Sequence, residues 1–313
     1  MELKFSLEEI KEVIDYIAGS PLQHDFAKHT SISALLHYWV LNARCSGTYY
    51  REQRRLETLY YDIARNPNTP PEALAELAAR TWENWALYYV ACHSNCPAEV
   101  LEQLSKHRSS GVRCGVAKNP NTPVEVLFRM RKDPSKYVRE NLARNPNTPT
   151  EALDHLSRSV LDEVCKGVAQ NPSTSLETLL RMLEDKGRSV RKIIVEHLPL
   201  PVLLDIIYAW KRNDSKKVSF MQWKQKGLLD GRNRIEAVLA YAKLPDEVFI
   251  DVYTELSLLA KEPWSFFTDL VKTLLENPNV PEEVVVAASF SGNKVVVDTA
   301  LEVLNQRRGG RVA

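Results

Sequence analysis

The phrase Asn-Pro-Asn-Thr-Pro stands at residues 66–70, 119–123 and 145–149. It decays to Asn171-Pro172-Ser173-Thr174-Ser175 and returns as Asn277-Pro278-Asn279-Val280-Pro281. The copies that open at Asn119, Asn145 and Asn171 lie 26 residues apart. A fixed period of this size constrains the fold more than composition can, because such units bury a core only by stacking on one another.

Each copy reads as a helix stop followed by a helix start. A residue before proline is pushed out of the α region, so Asn66, Asn119, Asn145 and Asn171 end the helix before them. Thr reads as the next N-cap, with Pro at the first helical position. Glu72, Glu125, Glu151 and Glu177 each stand three residues after a Thr, the spacing of a capping box. Two degenerate copies, Cys96-Pro97-Ala98-Glu99 and Leu244-Pro245-Asp246-Glu247, keep Pro and Glu and lose the Thr. Apolar pairs three apart follow each cap: Leu74 and Leu77, Leu101 and Leu104, Leu127 and Met130, Leu153 and Leu156, Leu179 and Met182. Pairs four apart precede each Asn: Leu59 and Ile63, Val112 and Val116, Val138 and Leu142, Val164 and Val168, Val190 and Ile194. Both spacings mark one helix face, so each unit is two short helices with a narrow apolar seam.

The pattern Val-Arg-x-x-Val-Ala-x-Asn-Pro-x-Thr-Pro-x-x-x-Leu, carried over 111–127, 137–153 and 163–179, resembles the leucine-rich repeat variant family. The likeness extends over about 59–205 and weakens near Pro245 and Pro281. It implies an all-α fold, a right-handed α-solenoid of two-helix repeats. One member of that family carries an iron–sulfur cluster in a cysteine-rich segment ahead of its repeats. Residues 1–65 hold only Cys45 here, so that cluster does not carry over.

Four regions follow. Residues 1–58 are an N-terminal helical cap, opened by Ser6-Leu7-Glu8-Glu9, with the polar outer face that a solenoid end needs. Residues 59–205 are the repeat array. The period breaks after Pro201, and 206–234 form a basic, Trp-containing insertion. Degenerate helical repeats and a tail occupy 235–313. Charge is balanced, with 41 basic against 40 acidic residues, so net charge recruits neither nucleic acid nor membrane. Five dispersed cysteines fit a reducing compartment rather than a disulfide framework. The opening residues lack the pattern of a signal peptide, and no apolar run is long enough to span a bilayer. The expectation is a cytoplasmic protein that needs no cofactor.

Candidate binding residues come from repeat arithmetic, since equivalent positions stack into columns. Six before each Asn the column reads Arg113, Arg139, Cys165, Arg191; one before it reads Arg65, Cys92, Lys118, Arg144, Gln170, Glu196. Residues five apart on a helix point about 140° apart, so these columns flank the buried stripe. Arg113, Lys118, Arg139, Arg144 and Arg191 are expected to border a groove, with Trp82 and Trp85 as aromatic anchors. A protein or peptide partner on the concave face is the primary reading. Nucleic acid is the alternative, held by the insertion through Lys211, Arg212, Lys216, Lys217, Trp223, Lys224 and Lys226. The competing structural readings are surface arginines in weak ion pairs and tryptophans packed in an inter-repeat turn. Cys92, Cys96 and Cys114, with His93 between the first two, have ligand chemistry for zinc or iron. Small buried thiols in the seam account for the same residues. No phosphate loop, His-Glu-x-x-His or nucleophile elbow is present, so the expectation is a non-enzymatic scaffold. A helical-repeat enzyme acting on DNA is the remaining enzymatic reading.

Overall fold

The computed structural model of the chain describes residues 50–214, 232–260, 263 and 265–309. Every regular element among them is a helix. They form two compact units that divide between Thr174 and Ser175, inside the array expected over 59–205. The N-terminal cap expected over 1–58 lies outside the described residues except where the first helix begins.

The first unit comprises nine helices, alternately longer and shorter from α3 onward: α1 (Tyr50–Arg65), α2 (Pro71–Arg80), α3 (Asn84–Cys92), α4 (Ala98–Leu104), α5 (Ser110–Lys118), α6 (Val124–Met130), α7 (Lys136–Arg144), α8 (Thr150–Ser157) and α9 (Asp162–Gln170), among the described residues. The odd-numbered helices pack each on the next, α1 on α3, α3 on α5, α5 on α7 and α7 on α9. Their valines and leucines, Val112 and Val116, Val138 and Leu142, Val164 and Val168, are buried against Leu101, Leu127, Leu153 and their neighbours on the even helices. The approach between odd helices is close. A Cβ added at Gly115 would lie 2.9 Å from both the Ala91 Cβ and the Tyr88 carbonyl, so only glycine lets α5 seat this tightly on α3.

The repeated phrase makes a different set of bonds from a capping box. Thr69, Thr122, Thr148 and Thr174 donate their hydroxyls backwards, to the carbonyls of Ile63, Val116, Leu142 and Val168. Their backbone N–H groups donate to the carbonyls of Asn66, Asn119, Asn145 and Asn171. Thr therefore closes the helix behind it, satisfying one of the carbonyls a helix C-terminus leaves bare. The N-cap of the following helix is the proline itself, Pro70, Pro123 or Pro149, with no side-chain cap bond. A capping box is unavailable because the Thr N–H that Glu would accept from is already bound to Asn.

The asparagines stitch unit to unit. Asn119 Nδ2 donates to the carbonyls of Ala91 and His93 at 2.7 and 2.8 Å. Asn145 does the same to Ala117 and Asn119, and Asn171 to Ala143 and Asn145. Each Oδ1 accepts the N–H two residues on. The three asparagines are buried. His93 occupies this column in the degenerate copy. Its Nε2 lies 2.8 Å from the Asn66 carbonyl, and its Nδ1 accepts from the Asn95 N–H. The copy His93-Ser94-Asn95-Cys96-Pro97 thus reproduces Asn-Pro-Asn-Thr-Pro with imidazole in place of amide. The third residue of each phrase forms an outer ladder, the Asn121 amide donating to the Ser94 carbonyl, the Asn147 amide to that of Pro120, and the Ser173 hydroxyl to that of Pro146.

A third column sits in the turn before each odd helix. Thr81, His107, Asp133 and Ser159 each accept the backbone N–H two residues on. His107 again stands in for a carbonyl-type acceptor through its Nδ1.

The second unit comprises α10 (Leu176–Asp185), α11 (Arg188–His197), α12 (Leu200–Asp214), α13 (Arg232–Tyr241), α14 (Asp246–Leu259), α15 (Phe266–Glu276), α16 (Glu282–Ala288) and α17 (Lys294–Gly309). Here α11, α13, α15 and α17 pack in sequence. Asn277 keeps its role, donating to Leu239 and Ala242, while Val280 replaces Thr and is buried. In α10, Leu179 is only half-buried. Thr178, bonded to the Ser175 hydroxyl, turns inward with Met182 and Leu183 instead. The backbone of α12 runs as helix to Asp214, into the insertion expected over 206–234.

Asn145→Ala removes three hydrogen bonds and leaves the Ala117 and Asn119 carbonyls buried without that donor. It should cost about 2–4 kcal/mol in urea unfolding, against less than about 1 kcal/mol for the exposed Asn147→Ala. Burial first, then the neighbouring charges of Arg108 and Arg113, lowers the pKa of His107, and burial with Arg131, Lys132 and Arg158 lowers that of His155. The unfolded chain then binds these protons more readily than the folded one. Stability from this source is full above the ordinary imidazole value of about 6.5 and is lost as pH falls below it. The urea midpoint should drop between pH 7.5 and pH 5, and His107→Asp, which restores the Asp133-type acceptor, should reduce the drop.

Candidate interaction surface

The solvent-facing stripe of each odd helix is set by the same register that buries the opposite stripe. Counting back from the ladder residue, positions −8, −5, −4 and −1 share one face, being three or four apart. In α1 the stripe holds Thr58, Tyr61, the buried Asp62 and Arg65, and in α3 Trp85, Tyr88, Tyr89 and Cys92. In α5 it holds Cys114 and Lys118, in α7 Tyr137, Glu140, Asn141 and Arg144, and in α9 Glu163, Lys166 and Gln170. Stacking of the five helices brings these stripes side by side.

The α1–α3 end is aromatic. Tyr61 meets Trp85 and Tyr89 edge to face, each at 5.0 Å between ring centroids, and Tyr88 meets Tyr89 at 5.3 Å. The Arg65 guanidinium lies 5.2 Å from the Tyr61 ring and 5.5 Å from that of Tyr89, and donates to the Tyr61 hydroxyl at 2.9 Å. Such pairs are worth about 0.5–1.5 kcal/mol each beyond the area they bury, so the group holds its shape without a partner. It remains open to solvent: Trp85 is 38% exposed, and Trp82, in the turn ahead of α3, is 66% exposed. The hydrogen bond to Cys92 pushes the Tyr88 phenol up to about 12.

The α7–α9 end is charged and internally matched. Arg144 pairs with Glu140 and Glu163, and Lys166 with Glu163 at 2.7 Å. Arg65 and Lys118 are exposed and make no ion pair among the described residues.

The arginine column expected to border a groove is engaged by the chain itself. Arg113 grips Asp133 with two bonds, 2.7 and 3.0 Å, and donates to the carbonyls of His107 and Arg108. Its side chain is only 13% exposed. Arg139 donates to the carbonyls of Asp133 and Pro134, the Cys165 thiol to that of Ser159, and Arg191 to that of Glu184. This column clasps the turn ahead of its own helix. Of the insertion residues, Lys216, Lys217, Trp223, Lys224 and Lys226 lie outside the described residues; Lys211 and Arg212 lie on the α12 backbone, with their side chains outside the described set.

Cys92, Cys96 and Cys114 do not come together as ligands. No group of three or more metal-binding side chains occurs among the described residues. Both nitrogens of His93 are engaged in the ladder, and Cys96 sits buried in the place of Thr. Burial raises the pKa of all three thiols, that of Cys96 to about 12. Burial thus favours the thiol over the thiolate, the form that acts as nucleophile or ligand. The aromatic stripe is partly legible in the sequence: Trp85 and the Tyr88-Tyr89 pair stand close together and Arg65 belongs to the column before each Asn, whereas Tyr61 joins them only through stacking. Their signal was the four-residue spacing from Tyr61 to Arg65 and from Trp85 to Tyr89.

Residues 111–135, which span α5, its turn and α6, match the family described as leucine rich repeat variant. The resemblance noted in the sequence is therefore shown for this repeat, and the all-helical stack agrees with it. No curated protein matches the chain.

Arg113→Glu places a second carboxylate against the buried Asp133 and should destabilise the chain by about 3–5 kcal/mol in urea unfolding. Arg144→Glu, on the exposed end of the stripe, should cost less than about 1 kcal/mol.

Proposed function

We propose that this helical repeat array, with its leucine rich repeat variant segment, is a non-enzymatic scaffold that docks a protein or peptide on the stacked faces of its odd helices. The observation that carries the reading is the group of Trp85, Tyr61, Tyr88 and Tyr89, organised by ring contacts and still open to solvent. Clustered aromatics with an arginine are the residues that dominate binding energies at protein interfaces. Repeat stacking extends the same face over several units, the geometry by which solenoids hold long partners. Aromatic rings and exposed cations are the groups this face presents. No helix among the described residues is long and apolar enough to cross a membrane, and we place the protein in the cytoplasm.

Nucleic-acid binding, through the 206–234 segment and the arginine column, is the less favoured reading because Arg113, Arg139 and Arg191 already donate to the chain's own carbonyls and carboxylate. A pull-down with the full chain, treated with nuclease and washed at high salt, separates the two. A bound protein should survive both treatments and fall by at least about tenfold with the paired Trp82→Ala and Trp85→Ala variant, the mark of a hot spot. Nucleic acid that copurifies and leaves with salt would replace this reading.

A further inference from the structure

The four cations of the odd-helix stripe divide into two classes. Arg144 and Lys166 are neutralised by Glu140 and Glu163. Arg65 and Lys118 are exposed, make no ion pair among the described residues, and stand on either side of the aromatic α3 stripe. Arg65 is also held in place. One guanidinium nitrogen donates to the Tyr61 hydroxyl, and the rings of Tyr61 and Tyr89 pack around it. A guanidinium has five donor hydrogens, so a fixed fork remains for an incoming carboxylate, with little ordering left to lose on binding.

We propose that this part of the stripe recognises an acidic peptide segment of defined spacing. One carboxylate sits on Arg65, a second on Lys118, and an apolar or aromatic side chain between them sits on Trp85, Tyr88 and Tyr89. The inference rests on the docking reading above and names its partner. Packed helices lie about 8–10 Å apart, so Arg65 on α1 and Lys118 on α5, two helices away, are separated by roughly 18 Å. An extended chain rises about 3.3 Å per residue, which places the two acidic residues about five or six positions apart. Charge complementarity favours a peptide over a nucleic acid. A phosphate backbone presents charge continuously and needs a continuous basic track, whereas here Glu140 and Glu163 interrupt the stripe after Lys118.

The test is selection of random 16-residue peptides on the full chain, with the enriched peptides then measured by fluorescence anisotropy at two salt concentrations. The expected result is enrichment of peptides with two acidic residues five or six apart around an apolar residue. Their affinity should fall at least about tenfold with Arg65→Glu or Lys118→Glu, and with Trp85→Ala, while Arg65→Lys retains part of it. All four variants change exposed side chains, and their urea midpoints identify any loss that comes from unfolding. Neutral or basic peptides that depend on Trp85 but ignore Arg65→Glu would overturn the acidic-segment inference and leave the docking reading standing. Enriched peptides indifferent to Trp85→Ala would overturn both. A single-stranded oligonucleotide that binds at the stripe more tightly than the acidic peptides, and is lost with Arg65→Glu, would assign the surface to nucleic acid instead.

Discussion

The buried asparagine ladder is the interaction on which the first unit depends. Each side-chain amide does three things at once. It accepts a bond that shapes its own turn, and it donates two bonds to carbonyls of the unit before it. Those carbonyls belong to a helix C-terminus, where backbone acceptors have no intrahelical partner. A buried carbonyl left bare costs about 1–3 kcal/mol, so the amide removes a penalty and sets the spacing between units in one step. The apolar seam supplies most of the driving force, but greasy contacts tolerate sliding. The amides do not, because they bond at one register.

His93 makes the same argument by substitution. Imidazole has one acceptor and one donor nitrogen when neutral, and both face partners that an asparagine would serve, at 3.0 and 2.8 Å. His107 repeats the substitution for the aspartate-type acceptor in the turn before α5. His93, between Cys92 and Cys96, is the one of the two that the sequence offers as a candidate metal ligand. In the structure both nitrogens of His93 and the Nδ1 of His107 are committed to the backbone. The arginine column behaves likewise, its guanidiniums satisfying the carbonyls of the turns they follow.

With so many polar groups turned inward, the open surface of the odd helices is defined by subtraction. The inner ladder and the clasping arginines remove one set of columns from solvent competition. Glu140 and Glu163 neutralise one end of the odd-helix face. What remains at the other end is the ring cluster of α1 and α3 with Arg65 and Lys118 beside it. The cluster is stiff because its rings brace one another, and stiffness lowers the entropy lost on binding.

The sequence by itself determined the helical class, the 26-residue unit and nearly every buried apolar position, because hydrophobic spacing and the Asn-Pro stop act locally and leave few alternatives. It misassigned Thr as the cap of the helix ahead. From local propensity alone the two directions are equivalent, and only the neighbouring Asn carbonyl, which takes the Thr N–H, decides between them. Tertiary structure also decided which charged columns face solvent. Arg113 and Arg65 both precede an asparagine at regular spacing, yet one closes on Asp133, 20 residues away, and the other stays open beside Tyr61 and Tyr89. That distinction rests on side chains brought together from different helices, and no local pattern encodes such a meeting before the helices stack.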